Sequence, residues 1–242
     1  PSIFGSGSEV SFNAVFIDEN EGRKLGINTR KNFPTATLID PLLTMSAPEK
    51  AVISSALDSL VHCVDSFGSI KQTAFSRIFS KEGFSRTLDT LLYKNLDEPT
   101  SRIDLAIGSI CGTTALMNSG DGPTNGFAYY FGVKDKIPHG LAGGIFLKEV
   151  MNWNYRNGYN DYVQLQNGDD KISKKDENDR LFDNLNELYV KLNIPRLSSY
   201  GYNIKNSINI AREVSKALQG SFAGNPIPFT EKSAEEILNR LI

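Results

Sequence analysis

The sequence predicts a mainly α-helical protein with a short β-rich opening, and three observations carry that expectation. β-Branched and aromatic residues gather into short runs bounded by turn-forming residues only within residues 1–45. From Thr44 onward the apolar positions recur at helical spacing. The connectors between these periodic stretches are polar or contain Gly and Pro.

Taken in order, the opening segment from Pro1 to Glu9 has no initiator Met and reads as a glycine- and serine-rich loop, so the chain is expected to be a fragment. Val10 to Phe16, Lys24 to Asn28 and Thr35 to Ile39 read as short strands, with a turn over Asp18 to Gly22. Ser46 and Glu49 have the spacing of a capping box with Pro48 in the first turn. The helix that follows should run from about Pro48 to Ser66, bury Ile53, Leu57, Leu60, Val61 and Val64, and stop near Gly68. Further amphipathic segments are expected over 70–95, 101–118, 123–132, 139–153, 178–192, 204–219 and 230–241. The charged stretch 167–179 reads as a solvated loop, and no internal repeat is present.

A formal charge of −2 over 242 residues, without Lys/Arg stripes, argues against nucleic acid as the main partner. No long uncharged apolar run suggests a membrane span or signal segment, so the expected ligand is a small molecule. Cys63 and Cys111 lie in apolar helical stretches without paired spacing. They read as small core residues in a reducing cytoplasm rather than as nucleophiles.

The residues that bear on chemistry are the chain's two histidines, His62 and His139. Asp58 precedes His62 by four residues, so on a helix the two share a face and one cation could meet both. An exposed Asp–His pair at this spacing is common and contributes only a few tenths of a kcal/mol. This helix is otherwise apolar, however, and burying both groups costs on the order of a few kcal/mol unless they are paired or metal-bound. Pro138 before His139, and Gly140, Gly143 and Gly144 after it, suggest a helix start packed tightly against a neighbour, which also suits a histidine that merely caps a crowded turn.

These residues resemble a family. The order Gly5-Ser6-Gly7-Ser8-Glu9-Val10, then Ile39-Asp40-Pro41 with Thr44, then Asp58-x-x-x-His62, then Pro138-His139-Gly140 resembles the iron-containing alcohol dehydrogenases over nearly the whole chain. Within that family, the strings Arg23 to Asn28 and Asp58 to Asp65 look most like the branch containing 3-deoxy-D-manno-octulosonate 8-oxidase, with Tyr129 where most members carry an additional His.

The resemblance implies the C-terminal helical domain of a dehydroquinate synthase-like fold, preceded by a few strands of the α/β N-terminal domain. Residues 1–45 would be the remnant of the dinucleotide-binding domain and 46–242 the all-helical metal-binding domain. The family's Gly-rich pyrophosphate motif is not among these residues. Carried over position by position, the metal ligands are Asp58, His62 and His139, while the remaining family His falls on Asn125. An amide oxygen is a poorer ligand than imidazole for Fe2+ or Zn2+. Three readings of Asn125 stay open: a weak fourth ligand, a group that leaves a water in its place, or the mark of a degenerate site.

By the same resemblance, Ser2, Gly5, Ser6, Ser11 and Lys24 face NAD or NADP, although Ile3 stands where a hydroxyl residue is usual. Lys24 and Tyr129 are the candidate catalytic side chains, and packing in the cluster Phe127, Tyr129, Tyr130 and Phe131 is the alternative for the tyrosine. The implied activity is metal-dependent, NAD(P)-linked oxidation of a primary alcohol of a polyol or sugar acid, or reduction of the aldehyde, in a homodimer. The alternative is a catalytically silent member serving as a binding or assembly subunit. Cyclisation of the dehydroquinate synthase kind is disfavoured by the Asp58-x-x-x-His62 pair.

Overall fold

The computed structural model describes residues 1–18, 20, 23–166 and 174–242, and of residues 23, 24 and 174 the backbone alone. Among these, two antiparallel strands form the sheet: β1 (Asn13–Asp18) and β2 (Arg23–Asn28), with Val15 opposite Gly26 and Phe16 opposite Leu25. β1 starts later than its β-branched composition suggests. Gly7 adopts a left-handed conformation (φ 58°) and opens a 3-10 turn at Ser8–Val10, after which the Ser11 hydroxyl accepts the Asn13 N–H at 3.0 Å. The expected strand at Thr35 to Ile39 does not form. It runs between Pro34 and Pro41 with no neighbouring strand to bond among the described residues, and the Thr37 hydroxyl ties it down, donating to the Glu9 carbonyl at 2.6 Å. Of the expected turn over 18–22, residues 19, 21 and 22 lie outside the described residues.

The helical part is organised around α1 (Glu49–Gly68), in which every residue from Ala56 to Gly68 is buried. That follows from its composition, apolar on nearly all sides, and from α2 (Ala74–Tyr93), α3 (Pro99–Met117) and α5 (His139–Arg156) packing around it. Leu57, Leu60, Val61 and Val64 are in the core as expected, whereas Ile53 is only partly covered. The expected capping box is absent. Pro48 itself is the N-cap, in an extended conformation with ψ 138°, which leaves Ser46 two residues outside the helix. Capping boxes occur instead at Thr73, Asn203 and Thr230. Cys63 and Cys111 are unpaired and buried, and burial pushes both thiols up, Cys111 to about 11. They are inert core groups.

α4 (Pro123–Lys134) and α5 lead into a second core built with α7 (Ile204–Ala217), α8 (Gln219–Ala223) and α9 (Glu231–Leu241). α5 is the wall between the two cores: Leu147 and Met151 belong to the first, and Ile145, Phe146, Val150 and Trp153 to the second. Phe127 stacks on Phe146 with centroids 4.3 Å apart, and Trp153 packs edge-on against Phe229 while its indole N–H donates to Glu236 at 2.8 Å. Each large apolar side chain buried this way contributes about 1.5–3 kcal/mol.

α6 (Lys174–Lys191) begins earlier than periodicity suggests and absorbs the second half of the expected solvated loop, while residues 167–173 lie outside the described residues. Asp176 and Glu177 sit in its first turn, where acidic side chains complement the helix dipole, so charge that reads as loop composition is also a helix start. Among the described residues no helix is long and apolar enough to cross a membrane.

Candidate metal centre

The centre lies where α1, α4 and α5 meet, and the backbone that assembles it depends on glycine. His139 is the first residue of α5. A Cβ on Gly140 would lie 1.8 Å from the Ser54 carbonyl oxygen, one on Gly143 2.8 Å from Val61 and one on Gly144 2.9 Å from Leu57. The bare face of α5 therefore rests directly on α1, and the tight packing expected around His139 is a contact with the helix that carries Asp58. The Leu141 N–H, an orphan donor of the first turn, donates to the Ser54 hydroxyl at 3.1 Å.

α4 is aimed by a second carboxylate of α1. Asp65 accepts the Gly122 N–H at 3.2 Å and the Asn125 N–H at 2.7 Å, fixing the helix start that presents Asn125. Burial outweighs these donors and pushes the Asp65 carboxyl up to about 7. With the folded value above the ordinary carboxylate range, this group's contribution to stability is fully present below about pH 4. It is lost as pH rises through about 7. The melting temperature of the wild type is expected to fall by several degrees more across this window than that of Asp65→Asn; equal slopes in a pH series of thermal melts would show that the carboxyl does not titrate there.

Asp58 and His62 are 6% and 5% exposed and face each other across one helical turn. Asp58 Oδ1 lies 3.6 Å from His62 Nε2 and 3.6 Å from His139 Nε2, and His139 Nε2 lies 3.1 Å from Asn125 Oδ1. Four donors from three helices thus converge. A tetrahedral ion with ligand bonds near 2.1 Å separates its donors by about 3.4 Å, so Asp58 stands at nearly that spacing from each imidazole. Among the described residues no three His, Cys, Asp or Glu side chains stand close enough together to hold a metal ion as they are placed. The arrangement is a chain of donors centred on Asp58, with the amide of Asn125 on the fourth side. This donor set fits a divalent cation, and the buried carboxylate supplies the charge it needs.

Tyr129 lies one turn beyond Asn125, its ring centroid 4.8 Å from that of His139. Burial pushes its phenol up, opposed by a hydrogen bond with the Asn125 side chain. Of the aromatic cluster read in the sequence, Phe127 and Phe131 are core, whereas Tyr130 donates to Glu213 at 2.5 Å. Tyr129 and Asn125 also line a cleft of about 1430 Å³ that reaches the hairpin residues Asn13 and Asn28 and the α1–α2 loop at Lys71.

The residues assigned to the cofactor are divided. Ser2 and Ser6 are exposed, whereas Gly5 and Ser11 are buried. A Cβ on Gly5 would lie 2.5 Å from the Ser55 carbonyl, and the Ser11 hydroxyl is engaged with Asn13. Lys24 is in β2, and its side chain lies outside the described residues. Two groups escaped the sequence reading. Asp65 carried a usable signal, standing two turns after Asp58 on the same face of an apolar helix. Thr113, whose Oγ1 is 3.3 Å from His62 Nδ1, carried none, being one of many helical hydroxyls.

Residues 52–242 match the model of the C-terminal part of the Fe-containing alcohol dehydrogenase family. The chain is 27% identical to 4-hydroxybutyrate dehydrogenase of Clostridium kluyveri over 248 residues, covering 99% of this chain and 65% of that protein. It is 25% identical to aldehyde-alcohol dehydrogenase 2 of Entamoeba histolytica over 154 residues, 64% of this chain and 18% of that protein. Among solved structures, 1,3-propanediol oxidoreductase superposes with a TM-score of 0.87 at 21% identity, covering 98% of this chain and 64% of that one. Sulfoacetaldehyde reductase of Bifidobacterium kashiwanohense, solved with NAD+, gives a TM-score of 0.84 at 18% identity, covering 100% and 63%. The chain thus spans less than two thirds of the length of these relatives.

Proposed function

The chain belongs to the Fe-containing alcohol dehydrogenase family, and from that premise we propose that the protein interconverts a primary alcohol and its aldehyde by hydride transfer to or from NAD or NADP. A divalent cation, Fe2+ or Zn2+, would be held by Asp58, His62 and His139 and would supply Lewis acidity toward a hydroxyl. The observation that carries this reading is the approach of both imidazoles, His62 and His139, to the single buried carboxylate of Asp58, each at 3.6 Å.

This chain's own residues perform the remaining tasks. Without a cation, the Asn125 carbonyl accepts the His139 Nε2–H and its amide bonds Tyr129; a cation at His139 Nε2 would take the place of that proton and leave the Asn125 oxygen facing the site. Tyr129, kept protonated by burial, donates a hydrogen bond at neutral pH rather than acting as a base. Ser2, Ser6 and Lys24 would face the cofactor, with the buried Gly5 and Ser11 supporting that loop from beneath, residues 1–45 contributing to the dinucleotide-binding domain and 46–242 holding the cation. The cleft beside the centre has a mixed lining, with Val15, Leu116, Val133 and Leu218 beside Asn13, Asn28, Asn118 and Lys71, and we assign the latter four to a polyol or sugar acid such as a 3-deoxy-octulosonate. A homodimer in the cytoplasm completes the proposal, the latter resting on the two unpaired thiols.

One observation favours a second reading, that of a silent binding or assembly subunit: the fourth position is an amide already engaged with His139 Nε2. Metal content and NAD(P)-linked oxidation of polyols and sugar acids, measured on the full-length wild type and on Asn125→His, separate the two. We expect bound metal and turnover in the wild type and tighter metal binding in Asn125→His, since imidazole is the better donor. Two forms that neither retain a divalent ion nor turn over any alcohol would establish the silent reading.

A further inference from the structure

Thr113 stands on α3 between two groups that belong to different parts of the site. Its hydroxyl donates to the Ser6 carbonyl at 2.9 Å and lies 3.3 Å from His62 Nδ1. A threonine hydroxyl has one proton, and a carbonyl can only accept. With that proton committed to Ser6, the contact with His62 is possible only if the imidazole donates its Nδ1–H to the Thr113 oxygen. The neutral ring then carries its proton on Nδ1 and turns an unprotonated Nε2 toward Asp58, 3.6 Å away. The same atom that anchors the opening loop thus sets the tautomer of a candidate ligand.

The surroundings hold this arrangement in place. Thr113 is 2% exposed, so water does not substitute for either partner. Gly7 has φ 58°, and a Cβ there would lie 2.1 Å from Thr113 Oγ1, so the loop is pressed onto this hydroxyl. One residue earlier, a Cβ on Gly112 would lie 2.9 Å from the Ser59 carbonyl and 3.3 Å from His62 Cβ, which keeps α3 seated against the turn of α1 that carries the imidazole. A second, weaker tie runs parallel: the Ser59 hydroxyl shares its proton between the Gly5 carbonyl at 3.4 Å and the Ser55 carbonyl of its own helix at 3.5 Å.

We propose that Thr113 is a positioning residue that fixes His62 as the Nδ1–H tautomer and couples cation binding at His62 to the seating of the loop at Ser6. The tautomer stands on the hydrogen bonds alone; the consequence for cation binding rests on the metal-centre reading given above. Loss of an outer partner of a ligating histidine typically weakens metal binding by about 10–100-fold.

The test uses 15N-histidine-labelled full chain without metal, at alkaline pH where imidazole is neutral, with the His62 signals identified by their loss in His62→Gln. The wild type is expected to show a protonated Nδ1 and an unprotonated Nε2, Thr113→Ser to keep that pattern, and Thr113→Val to lose it. Zn2+ affinity by chelator competition should fall by about 10–100-fold in Thr113→Val and recover in Thr113→Ser. A wild-type His62 protonated on Nε2, or a Thr113→Val protein with unchanged tautomer and affinity, overturns the proposal. Should Thr113→Val fail to fold, the wild-type tautomer still decides it. Absence of Zn2+ binding in a wild type that shows the expected tautomer would count against the metal-centre reading and against the coupling, leaving only the tautomer assignment standing.

Discussion

Gly140→Ala is expected to destabilise the protein by about 3 kcal/mol or more, at or beyond the upper end of ordinary overpacking. The added methyl would sit 1.8 Å from a backbone carbonyl oxygen of Ser54, which cannot rotate away as a side chain can, so α5 must lift from α1. The Leu141 N–H to Ser54 bond is lost in the same movement, and His139 leaves its place beside Asp58. Gly220→Ala is the control: nothing lies within 4 Å of that position and it is helical, so the same substitution there should be neutral or slightly stabilising. Denaturant unfolding of the two variants measures the contrast. Equal stabilities would mean that α5 does not rest directly on the Ser54 carbonyl.

Asp58→Asn is expected to reduce affinity for Zn2+ or Fe2+ by more than about a hundredfold, since even outer partners of ligands typically cost 10–100-fold. Asp58 is a carboxylate that both imidazoles approach, and its removal takes a compensating charge from a cation in a buried site. Asparagine keeps the shape of the side chain, so the fold should survive, and circular dichroism can establish that independently. Metal affinity equal to that of the wild type, measured by chelator competition, would remove Asp58 from the ligand set.

Much of this architecture was legible in the order of the residues. Periodicity located each long helix within a few residues, because α1 to α5 are long enough for their apolar faces to repeat several times. The glycines after His139 announced a close approach, and the helical spacing of Asp58 and His62 placed both on one face. What periodicity could not supply was partnership. Thr35 to Ile39 has strand composition but nothing to pair with, Ser46 has cap chemistry but is displaced by Pro48, and Asp176 and Glu177 are loop-like until a helix begins beneath them. At the centre, the donors were readable one by one. Of the groups that orient them, Asp65 stands two turns after Asp58 on the same face of α1 and could have been read there, whereas Thr113 reaches His62 from α3 and leaves no local trace.

The placement of the chain's one indole has a practical corollary. Trp153 faces Phe229 and Glu236, on the side of α5 that belongs to the second core, so its emission should follow the docking of α9. A melt followed by that emission and a chelation assay therefore interrogate opposite ends of α5, and a variant that dims one signal while sparing the other identifies which end has come apart.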